Sequence, residues 1–365
     1  MSRYRSEMST QERSSRPRAY KSHNNSGRAN ERSDTSRGSN NSTTSALSST
    51  GNGSITVQVD YTNNHVHTGK LPVEFIENIQ NPLEGYPKLQ KLRQLKRKQV
   101  LDHATRPYGC RVAPDRIIPT LNRWINIHKL QFDVIMIGAL ADNQFIYPIL
   151  SQLPLHRLCA KPGFLFIWAT THKIQELSKL LNSDSWGKKF RRSEELVFVP
   201  INKDSPYNQT TEFELNSKVP LFERQQWHCW MCITGTVRRS SDNHLIHCNV
   251  DTDLQIASPD ATTNGCVPDN LYKVVENFSN SNRRLHIMPS YIGYNLPVRV
   301  RPGWVILSPD STLDNFDPAR YQEELIGKSL IKNRSNASSE NPHYLVPQNE
   351  EIEELRPKSP IITPR

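Results

Sequence analysis

The chain of 365 residues is 35% hydrophobic and 8% aromatic, which is enough for one substantial core or two small ones. It has neither an apolar run of the roughly 18 residues that cross a bilayer nor an N-terminal apolar segment typical of a secretory signal, so we expect an intracellular protein. Its formal net charge of +10 favours an acidic partner such as nucleic acid.

The first 130 residues are predicted to hold a tail and an arm. Residues 1–57 are rich in Ser, Asn and Arg with almost no apolar side chains, so they predict a disordered basic tail that binds nucleic acid loosely, carries nuclear targeting or is simply solvated. Residues 58–130 follow as an N-terminal arm and a basic helix, on which Leu89, Leu92 and Val100 share one face. This helix contacts phosphates, serves as a nuclear signal or is a solvated amphipathic helix.

Residues 131–320 alternate between strand and helix patterns. The run Phe132–Ile137 predicts a parallel strand buried on both faces, which enters a turn at Gly138–Ala141. The alternation predicts one α/β domain with a mostly parallel sheet, followed by a polar C-terminal tail over residues 321–365. The other predicted strands span residues 162–170, 195–201, 230–237, 244–251, 284–288 and 303–308. Of these, 230–237 and 244–251 are predicted to form a hairpin. The predicted helices span residues 116–129, 144–150, 172–181 and 269–278.

An open α/β sheet binds its ligand beyond the carboxyl ends of its strands, so chemistry is expected after the central strand. The four residues found there can neither ionise nor donate a side-chain hydrogen bond nor hold a metal: Gly138, Ala139, Leu140 and Ala141. Outside the N-terminal tail there is no Gly-x-Gly turn, and the chain has no nucleophile elbow, P-loop or H-E-x-x-H. We therefore predict no catalytic residue, cofactor or metal, and we interpret the following Asp142 and Asn143 as loop caps.

Six cysteines in a chain of this length indicate reduced thiols rather than a disulfide framework. Cys229 and Cys232 form a C-x-x-C, but HCWMCITGTV predicts a strand, on which residues three apart point to opposite faces. We favour buried apolar thiols over a zinc site built from these two residues with His247 and Cys248.

Pairs of arginines occur at several predicted strand ends. Guanidinium groups at neighbouring strand ends would bind backbone phosphates, and nearby aromatic rings would stack on unpaired bases. The alternative is that the arginines are solvated charges and the aromatic residues belong to the core. The arginines are Arg191, Arg192, Arg238, Arg239, Arg283, Arg284, Arg299 and Arg301, and the aromatic residues are Trp186, Trp227, Tyr291 and Tyr294.

Several segments, in unbroken order from about residue 61 to 321, resemble the MT-A70-like family of RNA adenine-N6 methyltransferases: HTGKLPVEFI, FDVIMI, PGFLFIWA, KKFRRSEELVF, NRRLHIMP and, most specifically, WHCWMCITGTVRRSSDNHLIHCNVDTDL. The resemblance implies a Rossmann-like methyltransferase fold. Its catalytic members carry Asp-Pro-Pro-Trp where this chain has Gly138–Ala141, and a Phe-Gly-Arg turn where this chain has Met288–Ser290. The chain therefore resembles the non-catalytic branch, the partner subunit of the methyltransferase heterodimer, and neither methyl transfer nor donor binding is expected.

The resemblance also implies ligands and partners. In the non-catalytic branch, basic pairs at the positions of Arg191, Arg192, Arg238 and Arg239 line an RNA groove at the heterodimer seam. The implied partners are a catalytic MT-A70-like methyltransferase subunit, RNA and a pheromone-responsive transcription factor, with the nucleus, and also the cytoplasm, as the location. The implied role is a scaffold for mRNA N6-adenosine methylation that also co-regulates mating, karyogamy and meiotic genes.

Two other functions are alternatives to this role. The first is an active S-adenosylmethionine-dependent RNA adenine methyltransferase with a rearranged site. The second is a DNA-sequence-specific factor, for which the sequence offers no helix-turn-helix or zinc-finger spacing.

Overall fold

The computed structural model describes residues 83–141, 144–183, 186, 189–201, 207, 226–237, 242, 244–247, 251, 253–257, 267–291, 298–332 and 342–356. The predicted N-terminal tail and the first part of the arm lie outside these residues. All of the described residues belong to one compact unit, Thr56–Arg365. None of the helices in the described ranges is long and apolar enough to cross a membrane.

The elements are named in chain order. The helices are α1 Pro87–Asp102, α2 Ile117–Asn126, α3 Tyr147–Gln152, α4 Leu155–Leu158, α5 Thr171–Leu181, α6 Asp269–Phe278, α7 Pro318–Lys328 and α8 Glu350–Leu355. The strands are β1 Tyr108–Arg111, β2 Phe132–Leu140, β3 Cys159–Thr170, β4 Arg191–Pro200, β5 Trp227–Thr234, β6 Leu254–Ala257, β7 Arg284–Ile287, β8 Val305–Ser308, β9 Leu330–Lys332 and β10 His343–Leu345. The four predicted helices of the domain are present, with bounds that shift by a few residues.

One large sheet organises the domain, with strand order β1-β8-β7-β2-β3-β5-β4-β6. All neighbours pair in parallel except at β5, which is antiparallel to both β3 and β4. The prediction of an α/β domain with a mostly parallel sheet is therefore confirmed. The central strand β2 is buried at every position, as its unbroken apolar run predicts.

Both faces of the sheet are covered, which is why its strands lack polar alternation. On one face, Ile135 and Ile167 share a core with Leu121 of α2 and Leu177 of α5. On the other face, side chains of β2, β3 and β5 pack against α6 through a second core that includes Met136, Phe166, Met231, Leu271 and Val275. Each covering helix buries one apolar stripe, as its spacing predicts.

The predicted basic helix is α1, and its charges are largely engaged within the protein. Lys96 is buried and donates to Asn280 Oδ1. Arg93 contacts Asp251 at 2.8 Å. Burial lowers the pKa of Arg97, and the nearby Arg93 charge lowers it further. Internal pairing of these cations weakens the interpretation of α1 as a phosphate-binding face.

Two predictions need correction. The segment after β5 was expected to complete a hairpin, yet in the described part of residues 244–251 only Ile246 makes a bridge, and its partner is Ser279. Since β3 and β4 already occupy both edges of β5, no edge remains for a hairpin partner.

The second correction concerns the stretch predicted as a polar C-terminal tail, part of which is docked on the domain. Strands β9 and β10 pair within it, and Leu345 joins the core. Ile352 of α8 packs on Leu92 of α1, where Lys91 and Glu351 form an ion pair at 2.5 Å. Some of the apolar residues of this stretch are exposed, such as Leu330, but Leu325, Leu345 and Ile352 are buried. The mostly polar composition of the stretch gave no sign of these buried contacts.

Candidate functional site at two edges of the sheet

The carboxyl edge of the sheet holds the predicted degenerate motif. Strand β2 continues through Leu140, so the expected turn is extended strand, and all four motif residues, Gly138–Ala141, are buried. Gly138 has φ +141°, and a Cβ there would lie 2.4 Å from the Trp168 carbonyl oxygen. Only glycine fits this conformation and approach.

A buried histidine holds the motif backbone. His286 Nε2 donates to the Gly138 carbonyl oxygen at 2.6 Å, and Nδ1 accepts from the Tyr272 hydroxyl at 2.6 Å. Burial lowers the pKa of His286 to about 3, so the ring is neutral at physiological pH. One motif carbonyl is thereby committed to an internal bond.

The Gln144 side chain links two of the loops that leave this edge. Its Oε1 accepts from the Ala141 N–H at 3.3 Å, and its Nε2 donates to the Tyr291 carbonyl oxygen at 3.2 Å, which joins the loop after β2 to the loop after β7. Met288, at the position of the catalytic members' Phe-Gly-Arg turn, is buried. Asp142 and Asn143 lie outside the described residues.

These residues do not fit the methyl donor of the catalytic relatives. Such a donor needs acceptors for its ribose hydroxyls and its ammonium group, and the four motif side chains offer none. The Gly138 carbonyl oxygen already accepts from the His286 ring.

Two of the predicted RNA-binding arginines, Arg191 and Arg192, lie at the opposite, amino edge. Strand β4 runs parallel to β3 through their common neighbour β5, so Arg191 and Arg192 at its start lie far from the motif. Both are exposed. The antiparallel β5 ends at this same edge at Thr234, four residues before Arg238. Arg238 and Arg239 themselves are outside the described residues, so the meeting of all four arginines stays a prediction.

A chain of polar contacts orients Arg192. Its guanidinium lies 4.8 Å from the centre of the Trp230 ring and 3.7 Å from Glu195 Oε2. Glu195 Oε1 is 2.7 Å from His228 Nδ1, and His228 Nε2 is 3.1 Å from the Thr171 hydroxyl. The ring contact leaves the charge available to solvent while limiting its motion.

Three other predicted phosphate-binding arginines are internal. Arg283 and Arg284 are buried, at 6% and 0% exposure. Arg301 makes a bidentate pair with Glu276, at 2.7 and 2.8 Å, and an ion pair with Asp269. The prediction that these residues belong to a phosphate-binding surface is wrong, because their side chains point into the fold.

Arg283 belongs to a buried cluster that sequence reasoning missed. It donates to both carboxylate oxygens of Asp133, at 2.9 and 2.6 Å, while Ser281 donates to Oδ2 and His343 Nδ1 lies 3.2 Å from Oδ1. Burial opposes ionisation of Asp133, but Arg283 and His343 outweigh it and hold the pKa of Asp133 well below its usual range. A lone acid inside the apolar run FDVIMI was the available sign of a buried partner.

The predicted base-stacking aromatic residues and the predicted cysteine thiols also differ in where the structure places them. Trp186 and Trp227 are buried and cannot stack on bases, whereas Tyr291 is exposed but lies at the carboxyl edge; Tyr294 lies outside the described residues. Cys229 and Cys232 belong to the cores on opposite faces of the sheet, and burial raises the pKa of Cys232 to about 12. Within the described ranges no group of side chains could hold a metal ion; Cys248 lies outside them.

The comparisons with known proteins agree with this fold. The MT-A70 family model matches residues 130–308. The chain is 58% identical over 302 residues to Karyogamy protein KAR4 of Saccharomyces cerevisiae, which covers 83% of this chain and 85% of KAR4.

More distant relatives carry an explicit description. The chain is 31% identical over 324 residues to the N(6)-adenosine-methyltransferase non-catalytic subunit METTL14 of Danio rerio, covering 85% of this chain but only 64% of that protein. It is 32% identical over 216 residues to the N6-adenosine-methyltransferase non-catalytic subunit MTB of Arabidopsis thaliana, covering 55% of this chain and 26% of MTB. With its α/β fold and its family match, the chain belongs to the MT-A70 family.

Proposed function

We propose that this chain is a catalytically inactive MT-A70 subunit that scaffolds an mRNA N6-adenosine methyltransferase complex and helps to bind RNA. The observation that carries the proposal is the closed carboxyl edge of the sheet, where Gly138–Ala141 are buried and the motif carbonyl is bonded to His286. Relatives described as non-catalytic subunits support it.

The chemistry of the reaction explains why a partner is required. Transfer of a methyl group to an adenine amino group needs a bound donor and an acceptor that holds the amino hydrogens. The side chains of Gly138–Ala141 supply neither, so the catalytic MT-A70-like subunit supplies both. This chain then contributes a rigid fold and a charged surface.

The contribution to RNA binding is assigned to Arg191, Arg192, Arg238 and Arg239. Exposure of the first two and the stacking of Arg192 on Trp230 support it, since an ordered but solvated guanidinium suits a phosphate. The position of β5 supports inclusion of the second pair at the same edge.

The proposal is tested with the full chain, alone and co-expressed with its catalytic partner. We expect no heat of binding for S-adenosylmethionine with the chain alone, no tritium transfer to adenine-containing RNA, and a stable complex on co-expression. Micromolar donor binding together with turnover would support the alternative, an active methyltransferase with a rearranged site. A monomeric chain with no affinity for the catalytic subunit would remove the scaffold role.

A second role is favoured by the 58% identity to Karyogamy protein KAR4. We propose that the chain also acts in the nucleus as a co-regulator of mating, karyogamy and meiotic genes, with a pheromone-responsive transcription factor as its partner. Purification of the tagged chain from mating cells and from meiotic cells tests this. Recovery of the transcription factor from mating cells is expected, and its absence from both states would contradict the role.

A further inference from the structure

We infer that a second nucleic-acid contact, here called the arginine cleft, lies at the β1 end of the sheet and binds the phosphate backbone of single-stranded RNA. The arginine cleft is lined by Arg111, Arg116 and Arg123. The inference rests on the proposed function, since it takes RNA to be a ligand, and it adds a surface that the family resemblance did not indicate.

One wall of the cleft is a fixed guanidinium. Arg111 is the last residue of the edge strand β1. Its Nε donates to the Ser311 carbonyl oxygen at 2.8 Å and its Nη2 to the Thr312 carbonyl oxygen at 3.2 Å. Because both acceptors are neutral carbonyls, the side chain is held in place while its charge is left uncompensated.

The other wall is one stripe formed by α2 and its N-cap residue, Arg116. Arg116, Thr120 and Arg123 are four and three residues apart, so they lie on the same side of the helix. The opposite side is buried in the core through residues such as Leu121 and Trp124, which turns the stripe outward. Both arginines of the stripe are exposed.

Charge distinguishes the arginine cleft from the other arginines of the fold. Arg283 and Arg301 are each paired with carboxylates, whereas none of the described residues that line the cleft is acidic. Asp314 lies nearby, accepting from the Arg111 backbone N–H at 3.0 Å, and Asp115 adjoins Arg116 in sequence, but neither lines the cleft. A net positive surface remains, and it requires an anionic ligand.

The spacing of the charges favours a chain of phosphates over a single one. Arg123 is seven positions after Arg116, which is a rise of about 10 Å along the helix axis, whereas phosphates along a stacked strand recur about every 3.4 Å. The described lining includes no aromatic ring, so bases would not stack there. Contacts to the backbone alone predict binding that is independent of base sequence.

The cleft is far from Arg191 and Arg192. Strands β1 and β4 are six positions apart in the sheet, which is about 29 Å at about 4.8 Å per strand. The cleft is also at the carboxyl edge, whereas Arg191 is at the amino edge. A stacked strand of about nine nucleotides is needed to span that distance, so a 6-mer reaches only one of the two surfaces and a 20-mer reaches both.

The test is the salt dependence of RNA binding by the full chain, measured by fluorescence anisotropy with labelled 6-mer and 20-mer polyuridine. For the 20-mer, Arg116→Ala/Arg123→Ala is expected to lower the slope of log K against log salt by roughly 1.4, at about 0.7 per lost contact. The control Lys179→Ala/Lys328→Ala removes two exposed charges from α5 and α7 and should leave the slope unchanged. An unchanged slope in the cleft variant, or an equal fall in the control, overturns the inference.

Two additional experiments test the inference if the first is inconclusive. If the alanine variant does not fold, phenylglyoxal modification of the wild-type chain replaces it: RNA should protect Arg116 and Arg123 from modification, and absence of protection overturns the inference. Binding of a phosphoserine peptide that is lost in the cleft variant, with an unchanged RNA slope, would assign the cleft to a phosphoprotein instead. The variant Arg191→Ala/Arg192→Ala tests RNA binding at the amino edge separately. A negative result for one of the two surfaces therefore does not decide the other.

Discussion

The carboxyl and amino edges of this sheet differ in which residues they bury and which they expose. At the carboxyl edge, where ligands normally bind, the motif is buried, two loops are joined through Gln144, and the buried ring of His286 beside the motif is neutral. At the amino edge, Asp133 and Arg283 form an internal ion pair, and Arg191 and Arg192 are exposed. The difference teaches that the end of a central strand can be filled by apolar packing and a histidine bond while charged side chains stay exposed at the opposite edge.

The largest expected effect concerns the buried ion pair at the amino edge. Arg283→Met leaves Asp133 buried without its counter-charge, and we expect a loss of about 3–5 kcal/mol in the free energy of unfolding. Urea denaturation of the full chain measures it.

The neighbouring residue provides the matched control. Arg284 is equally buried, but its Nε and Nη2 have no hydrogen-bond partner among the described residues, and its Nη1 makes one long bond of 3.5 Å to the Gly303 carbonyl oxygen. Arg284→Met should therefore be close to neutral or stabilising. Equal losses for the two variants would contradict the assignment of the ion pair as the stabilising element.

The second effect is a pH dependence at the carboxyl edge. The pKa of His286 falls from 6.5 to about 3 on folding because burial disfavours the charged ring. The unfolded chain therefore binds more protons between these values, so the contribution of His286 to stability is fully present above pH 6.5 and is lost as the pH falls toward 3. Between pH 7 and pH 5 this amounts to about 2 kcal/mol.

Denaturant titrations at pH 7, 6 and 5 measure this slope. His286→Gln retains a polar group for Tyr272 and Gly138 but cannot titrate, so its stability should vary less over the same interval. An identical pH slope in the variant would assign the effect to other groups.

The sequence predicts the parallel sheet and the degenerate motif well because both depend on local patterns. The unbroken apolar run of β2 predicts that the strand is buried on both faces, and the spacing of apolar residues in Asp269–Phe278 predicts which face of the helix is buried. The degenerate motif is predicted from sequence because Gly138–Ala141 have no ionisable or hydrogen-bonding side chains. Neither inference requires knowledge of distant residues.

The arginines could not be sorted in this way. Arg283 and Arg192 look alike in sequence, and only the distant Asp133 and the ring of Trp230 separate a buried ion pair from an exposed stacked charge. The arginine cleft joins a strand end to a helix stripe, so no contiguous motif marks it. The C-terminal segment was missed because a few buried residues anchor an otherwise polar stretch.

The third effect concerns RNA at the amino edge. Arg191→Ala/Arg192→Ala removes two exposed guanidinium groups, and the slope of log K against log salt for single-stranded RNA should fall by roughly 1.4. Arg→Lys at both positions keeps the charge and should retain most of that slope while losing bidentate geometry. Binding to the catalytic subunit should survive in both variants; its loss together with RNA binding would mark these arginines as interface residues.

The smallest expected effect concerns the carboxylate beside Arg192. Glu195 lies 3.7 Å from the guanidinium and 2.7 Å from His228, so it both orients the arginine and reduces the local positive potential. Glu195→Gln keeps the shape and a hydrogen-bonding oxygen but removes the negative charge. Since ion pairs of this exposure contribute about 0.2–1 kcal/mol, RNA affinity at low salt should rise by roughly 1.5- to 5-fold.

Anisotropy titrations at 50 and 200 mM salt measure the change, with Glu323→Gln on α7 as a control that removes an exposed carboxylate elsewhere. The gain should shrink at the higher salt, because screening acts on the same charge that the substitution removes. A fall in affinity instead would mean that Glu195 acts mainly by holding Arg192 over Trp230, so that order in the guanidinium outweighs its net charge. Equal gains from both substitutions would mean that RNA responds to the total charge of the chain rather than to the amino edge of the sheet.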